Sequence, residues 1–421
     1  MSISVRTDAP VIQNSAATLG GESIVCFAGE DWWYHNPHSN KHLMQELARL
    51  GNRVLFVNST GIRTPRLFRD RYAWKRIVRK LRSFMIFLRR AEPGLFVFTP
   101  VALPITRRLR HFTLLVNQVL LVLQVRVICA LLGMSRPIAW AATPAACMGA
   151  LALRRSWAKL LVYYCSDNTA FLSEVDTPFI QMLYARLAAG ADLVFFSGRR
   201  MLKESLGLNC NTYLLSHGVE FEHFAQTLRP VESVPEELRE LRTPIVGYIG
   251  EIKGINTELV GELARRNPNV SFVLIGNVMM DVSALASHGN VHFLGRRPYE
   301  ALPAYLRCFR CCAIFYRTGI TFNDYRSPKK LLEYFATGLP LVSTQLAELD
   351  GFPHLVYQAA TAEEFHHQLQ RALSESDPDL RRQRIEVARS RDWQVVAEEA
   401  SQHMLRHMEL NREKVKAISS A

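Results

Sequence analysis

The feature that most constrains this chain is an alternation that starts twice. Short apolar runs alternate with stretches of helical period, once from Ile24 and again from Pro244. The first series comprises Ile24–Ala28, Arg53–Asn58, Ile138–Ala142, Leu160–Tyr164 and Leu193–Phe196. The second comprises Pro244–Ile249, Ser271–Ile275, Val291–Leu294, Cys312–Phe315 and Leu341–Thr344. Apolar runs without polar alternation are strands buried on both faces. Helices between them impose parallel pairing. The Pro- and Glu-rich stretch Arg229–Arg242 separates the two series. The expected fold is therefore α/β, with two doubly wound domains facing across a cleft. In such sheets ligands bind beyond the carboxyl ends of the strands. The expected boundaries are a disordered tail (1–21), an N-terminal domain (22–217), a linker (218–243), a C-terminal domain (244–378) and a helical tail (379–421). A chain of 421 residues can bury two such cores without cross-links.

The formal charge of +13 is concentrated rather than spread. Between Ile62 and Arg90 eleven basic residues stand against one acidic residue, Asp70. Trp74, Ile77, Val78, Leu81, Phe84, Met85 and Leu88 form one apolar stripe at helical spacing, and basic residues occupy the other faces. A basic amphipathic helix of this kind suits an anionic membrane surface. A solvated helix with its stripe on the protein core has the same pattern. No helix-turn-helix, RNA-recognition or zinc-module signature accompanies it, so no nucleic-acid partner is expected. Phe112–Met134 is long enough to cross a bilayer, but Asn117, Gln118, Gln124 and Arg126 interrupt it, which favours a buried or interfacial helix. The whole of 62–134 reads as a basic amphipathic insert. Eight Cys are too few for a disulfide scaffold, and Met1–Gly20 lacks an apolar signal region. The expected compartment is the cytoplasm, peripheral on the inner face of the plasma membrane.

Three stretches of the second half carry chemistry. Ser327–Thr344 reads SPKKLLEYFATGLPLVST, a helix opened near Pro328, ended at Gly338 and followed by a strand. Free N–H groups and the dipole at such a helix start favour a diphosphate, and Glu333 one turn in can accept from a ribose hydroxyl. An ordinary capped helix with a solvated Lys pair reads the same way. Gly247–Gly254 reads GYIGEIKG, a glycine loop between a strand and a helix. It is neither a GxGxxG fingerprint nor a P-loop. Val291–Tyr305 reads VHFLGRRPYEALPAY, a strand leading through Gly295-Arg296 into a helix.

In this order the three stretches resemble the nucleotide-sugar-binding domain of GT-B glycosyltransferases of the family-four type (glycosyl transferases group 1). The opening GEDWWYHNPHSNKHLMQELARLGNRVLFVNSTG, with YYCSDN, ADLVFFSGRRM and SHGVEFEHF, is similar to glycosyltransferases of teichuronic-acid and exopolysaccharide biosynthesis. The resemblance spans roughly 22–400 and implies two Rossmann-like domains. It implies that Gly250, Glu251 and Lys253 meet the donor's phosphates, with Ser327 at the helix start. Lys330 would pair with the departing diphosphate, Glu333 would hold the ribose, and Arg296 and Tyr299 would lie near the base. Trp32, His35 and His38 would face the acceptor. Where the family carries a Glu-x7-Glu pair, Glu333 matches the second Glu and Tyr325 stands at the first.

An acceptor hydroxyl that needs a general base requires Asp, Glu or His at the cleft. Asp167 is the first candidate and Asp31 the second, both after strands, and His35, His38 and His217 are further ones. Cys308, Cys311 and Cys312 lack a second ligand pair at zinc spacing, and Asp377-Pro378-Asp379 lies between helices as a turn and cap, so no metal is expected. The expected protein is a metal-independent, hexosyltransferase-type enzyme without a cofactor, its nucleotide-sugar being substrate. Its partners would be a UDP- or GDP-sugar, a glycan or lipid-linked acceptor, and an anionic membrane. A GT-B nucleotide-sugar epimerase and a non-catalytic membrane scaffold are the alternatives.

Overall fold

The computed structural model describes residues 17–33, 38–59, 87–103, 110–166, 177–230, 234–320, 323 and 325–419. Among them are two sheets, each a parallel body with helices on both faces. The N-terminal sheet contains β1 (Ser23–Phe27), β2 (Arg53–Val57), β3 (Leu88–Glu92), β4 (Leu95–Phe98), β5 (Ile138–Ala141), β6 (Leu160–Cys165), β7 (Leu193–Phe196) and β8 (Thr212–Leu214). Its order is β3-β4-β2-β1-β5-β6-β7-β8, parallel throughout except for the β3–β4 hairpin. The C-terminal sheet contains β9 (Ile245–Ile249), β10 (Ser271–Ile275), β11 (Val291–Gly295), β12 (Cys311–Ile314), β13 (Leu341–Thr344) and β14 (Tyr357–Ala359). Its order is β11-β10-β9-β12-β13-β14, all parallel. The strand order reverses beside β1 in one sheet and beside β9 in the other. These are the switch points at which doubly wound sheets open a crevice.

The helices of the N-terminal body are α1 (Ser39–Arg49), α2 (Arg110–Leu131), α3 (Cys147–Ser156), α4 (Thr177–Gly190) and α5 (Arg199–Ser205). Then follow α6 (Phe221–Ala225), α7 (Thr257–Arg266), α8 (Leu302–Arg307), α9 (Lys330–Thr337), α10 (Ala362–Ser374), α11 (Pro378–Arg389) and α12 (Trp393–Ser419). The stretch expected as a disordered tail is partly built in. Leu19 is fully buried, and its carbonyl accepts from Asn52 Nδ2 at 2.7 Å. The C-terminal tail is two helices, and the second returns to the first body. Trp393, Val396, Ala397, Ala400 and Met404 pack with Leu43, Met44 and Leu47 of α1 in one core. The His42 ring stacks on Trp393 at 5.1 Å.

The segment 62–134 is not one basic insert. Residues 60–86, which hold most of the expected amphipathic helix, lie outside the described residues. Its last residues, Leu88, Arg89 and Arg90, are strand rather than helix. Pro93-Gly94 turns the chain, with Gly94 at φ +76°, and Leu88 pairs with Phe98. Arg89 and Arg90 then lie exposed on the sheet's edge strand, where charge discourages edge-to-edge pairing. Helix α2 contains the one segment among the described residues, Phe112–Leu131, long and apolar enough to cross a membrane. Its Asn117 and Gln118 side chains face the protein, while Arg126 is exposed. Gln118 Oε1 accepts from Gly149 N at 2.9 Å, and Asn117 Nδ2 donates to Leu103 O at 2.9 Å. Its outward face is apolar, with Phe112, Leu115, Val119, Leu123, Val127 and Leu131 between 48% and 74% exposed.

Candidate active site

At the end of β9 the chain turns through Gly250 at φ +141°, and the neighbouring β10 ends in Gly276 at φ +152°. The two backbones touch. A Cβ on Gly276 would fall 1.9 Å from the Gly250 carbonyl oxygen. Gly250 N donates to Ile275 O at 2.8 Å and Ile252 N to Asn277 O at 2.9 Å, so the two loops are stapled together. Lys330, the first residue of α9, reaches into this loop. Its Nζ lies 3.7 Å from the Tyr248 ring centroid and 5.2 Å from that of Tyr316, and a Cβ on Gly250 would meet it at 2.5 Å. Burial lowers the Lys330 ammonium below the ordinary lysine range, while the Tyr316 hydroxyl, hydrogen-bonded to it, opposes that shift. Gly250 and Lys330, 80 residues apart in the chain, are thus brought into contact.

Glu333 lies one turn further along α9. Burial raises its pKa, and Lys329 and Lys330 pull it back. Two residues of the inter-domain segment face it, Glu220 and His223. Both lie in SHGVEFEHF, at the start of the stretch that reads as a linker, where the sequence assigns neither a role. His223 stacks on Tyr299 with ring centroids 4.6 Å apart, and its Nε2 lies 3.1 Å from the Tyr299 carbonyl oxygen. Tyr299 is therefore turned onto His223. Arg296 is exposed at the end of β11, Glu251 and Lys253 are exposed on the glycine loop, and Ser327 is half-buried ahead of α9.

The opposite wall comes from the segment after β1. Glu30 is the first acidic side chain there, and it lies, like the buried His42 and His217, within electrostatic range of Lys329. Ser39 Oγ is 2.8 Å from His217 Nδ1. Burial, with Lys329 and His38 adding to it, pushes the His217 imidazole down to about 3. That ring is a neutral hydrogen-bonding partner rather than a base. Asp31 Oδ1 accepts from Trp33 N at 3.0 Å, a turn-forming bond. Contrary to expectation, Trp32 does not present a surface to an acceptor. It is 4% exposed, packs edge-on against Phe56 at 4.9 Å, and its backbone N–H donates to Asn58 Oδ1 at 2.9 Å. The physical reason is that the indole is apolar enough to complete the core under α1. His38 lies just before α1 and is exposed. Asp167 and His35 lie outside the described residues.

Tyr325, at the position of the first Glu of the Glu-x7-Glu pattern, contacts the N-terminal body. Its hydroxyl donates to Glu204 Oε2 at 2.5 Å, and the Arg200 guanidinium sits 4.4 Å from its ring centroid. Both partners belong to α5, so this side chain bridges the two bodies. Arg200 N donates to Glu348 Oε1 at 3.2 Å across the same interface. Elsewhere, Asp377 Oδ1 caps α11 by accepting from Asp379 N at 2.8 Å. Cys311 and Cys312 are buried, while Cys308 is only half-buried, and its Sγ–H reaches Ala304 O at 3.5 Å. Burial holds the Cys311 thiol up at about 12.

Residues 243–375 match the family model described as Glycosyl transferases group 1. A protein named as a putative teichuronic acid biosynthesis glycosyltransferase, TuaH, of Bacillus subtilis (strain 168) is 25% identical over 262 residues, 56% of this chain. That match spans 64% of the relative's own length. Sucrose-phosphate synthase from Thermosynechococcus elongatus has a similar structure, with a TM-score of 0.63 at 16% identity, covering 94% of this chain and 100% of that one. So does the catalytic domain of Starch Synthase IV from Arabidopsis thaliana, bound to ADP and acarbose. Its TM-score is 0.59 at 12% identity, with 93% of this chain and 100% of that one covered. The two parallel sheets with opposed switch points therefore form a GT-B fold, and its C-terminal body is matched by the Glycosyl transferases group 1 model.

Proposed function

We propose that this chain is a glycosyltransferase that moves a hexosyl group from a UDP- or GDP-sugar to a glycan or lipid-linked acceptor of the cell surface. The observation that carries this reading is the contact of Lys330 Nζ with the Gly250 loop at the start of α9. Departure of a nucleoside diphosphate leaves negative charge on an oxygen. A fixed cation and backbone N–H groups at that point stabilise the charge more in the transition state than in the ground state. Glu333, one turn along, is placed to accept from a donor hydroxyl, and the N-terminal wall would hold the acceptor. The similarity to a protein named for teichuronic acid biosynthesis supports a polysaccharide acceptor.

The test is a calorimetric binding and hydrolysis screen across UDP-, GDP- and dTDP-sugars, each with and without EDTA. One nucleotide class is expected to bind and turn over, and chelation should leave its rate unchanged because Lys330 supplies the counter-charge. Failure of every donor would overturn the reading. Inhibition by EDTA reversed by Mn²⁺ would overturn the metal-free mechanism.

The acceptor reading includes a membrane. The outward stripe of α2, six apolar side chains along one face, fits a helix lying in the plane of a cytoplasmic leaflet, with Arg126 exposed beside it. The basic residues of 62–82 would add attraction to anionic lipid. The combined substitutions Val119→Glu, Leu123→Glu and Val127→Glu are expected to weaken co-sedimentation with phosphatidylglycerol vesicles by about tenfold or more. Unchanged co-sedimentation would remove α2 from the membrane contact.

A further inference from the structure

We propose that Glu30 is the base that takes the proton from the attacking hydroxyl, an assignment that rests on the glycosyltransferase reading above. Glu30 lies three residues beyond β1, at the switch point of the N-terminal sheet, where a doubly wound fold places its ligand. Its Oε1 is buried and has no hydrogen-bond partner among the described residues. A buried carboxylate oxygen left without a donor is costly in a folded protein, so the site is shaped for a donor that arrives with a ligand.

The rest of the carboxyl is held in place. Asn40 donates a side-chain hydrogen bond to it. Asn40 is itself oriented, because its Oδ1 accepts from Trp140 Nε1 at 3.3 Å. With that oxygen engaged by the indole, the amide N–H₂ is directed at Glu30. The chain from Trp140 to Asn40 to Glu30 fixes one side of the carboxyl and leaves Oε1 open.

Glu30 also faces the donor wall. Lys329, adjacent to the leaving-group lysine, lies within electrostatic range of it, as it does of His42 and His217. The Cys26 thiol lies on β1, and burial first and then the Glu30 charge push it up. Burial dominates these influences and raises the carboxyl to about 7, with Asn40 and Lys329 opposing the rise. A base that is half-ionised near neutral pH both accepts a proton readily and is free to do so. The two buried histidines on this wall fail the same requirement, since burial holds His217 down at about 3 and pushes His42 well below the ordinary range.

The step balances without a co-reactant. The acceptor oxygen forms a bond to the anomeric carbon. The bond from that carbon to the diphosphate oxygen breaks, with its electron pair leaving on the diphosphate beside Lys330. The hydroxyl proton passes to Glu30 Oε1 and is later lost to solvent.

Water can replace the acceptor hydroxyl, so nucleotide-sugar hydrolysis by the full chain reads the same proton transfer. UDP-glucose and GDP-mannose serve as the probes. Wild-type kcat/KM should rise with pH through an apparent pKa near 7. Glu30→Gln is expected to lower kcat by about 10²-fold and abolish that limb, with affinity for UDP or GDP unchanged. Asn40→Leu removes a donor to the ionised carboxylate and should shift the limb to higher pH. This variant keeps the proposal testable if Glu30→Gln does not fold. A wild-type rate in Glu30→Gln, or an unshifted limb in Asn40→Leu, would overturn the assignment of the base. No hydrolysis or binding of either nucleotide-sugar by the wild type would instead overturn the transferase reading beneath it.

Discussion

Replacing Lys330 by Ala is expected to lower nucleotide-sugar turnover by about 10²–10³-fold while leaving the protein folded. The magnitude is that of removing one fixed charge or hydrogen-bond donor from a site where an oxyanion develops. Lys330 is placed for that role by three constraints. Its stem is packed at the first turn of α9, its Nζ lies over Tyr248, and the Gly250 backbone closes against it. Because burial already disfavours the charged form, losing the charge costs little stability. Lys330→Met keeps the stem's volume and removes the ammonium, so it separates charge from packing. Both variants should lose turnover alike, and Lys330→Met should melt at the wild-type temperature. Full turnover in Lys330→Met would show that the leaving group is neutralised elsewhere.

The substitution Gly276→Ala should be the most damaging single change in the donor half. Its Cβ would sit 1.9 Å from the Gly250 oxygen and 2.6 Å from the Gly250 carbonyl carbon. Both are backbone atoms, and no side-chain rotation relieves the overlap. The residue also has φ +152°, a conformation that L side chains rarely adopt. The chain must either shift the Gly250 loop, breaking the Gly250–Ile275 and Ile252–Asn277 hydrogen bonds, or abandon its turn. The expected cost is roughly 3 kcal/mol, a fall in melting temperature on the order of 10 °C. Nucleotide affinity should be lost with it, because the displaced loop is the one that meets Lys330. A variant with unchanged melting and unchanged affinity would show that the loops are free to separate.

Much of the proposed donor site is legible in the amino-acid sequence. Gly250, Lys330 and Glu333 each sit in a stretch of fewer than twenty residues whose strand–turn–helix grammar is local. Glycine where a backbone must approach closely, a proline before a helix start and a cation just inside it all act over one or two turns. Gly276 has a weaker signal, a lone glycine at the end of SFVLI, and its role depends on what lies beside it. The β3–β4 hairpin is hidden although Pro93-Gly94 announces a turn. The apolar stripe upstream fits a helical period through Leu88, and the turn reverses the chain beyond it.

The acceptor wall is harder to read. Trp32 has the character of a sugar-stacking residue, yet burial of its large apolar surface against Phe56 outweighs exposure to a ligand. Glu30 is indistinct beside Asp31, which has the same charge and stands one position on. What separates them is solvation and partners: Asp31 binds a nearby backbone N–H, whereas Glu30 is enclosed with one oxygen unmet. Tyr325 departs from the family pattern, and no property of the residue itself says that it reaches Glu204 on the other body.

The sequence by itself determined two α/β bodies and their restart near residue 244, since both are encoded by periodicity and turn chemistry over short spans, while the reading of the Gly250 loop and Lys330 as a donor site rests on the family resemblance. Only the tertiary structure decided that α12 completes the core of the N-terminal body, that Glu220 and His223 face Glu333, and that Glu30 looks across at Lys329. The partners in these contacts lie far apart along the chain. They are set by which apolar faces find each other and by which polar groups are enclosed when they do, and no local pattern records either.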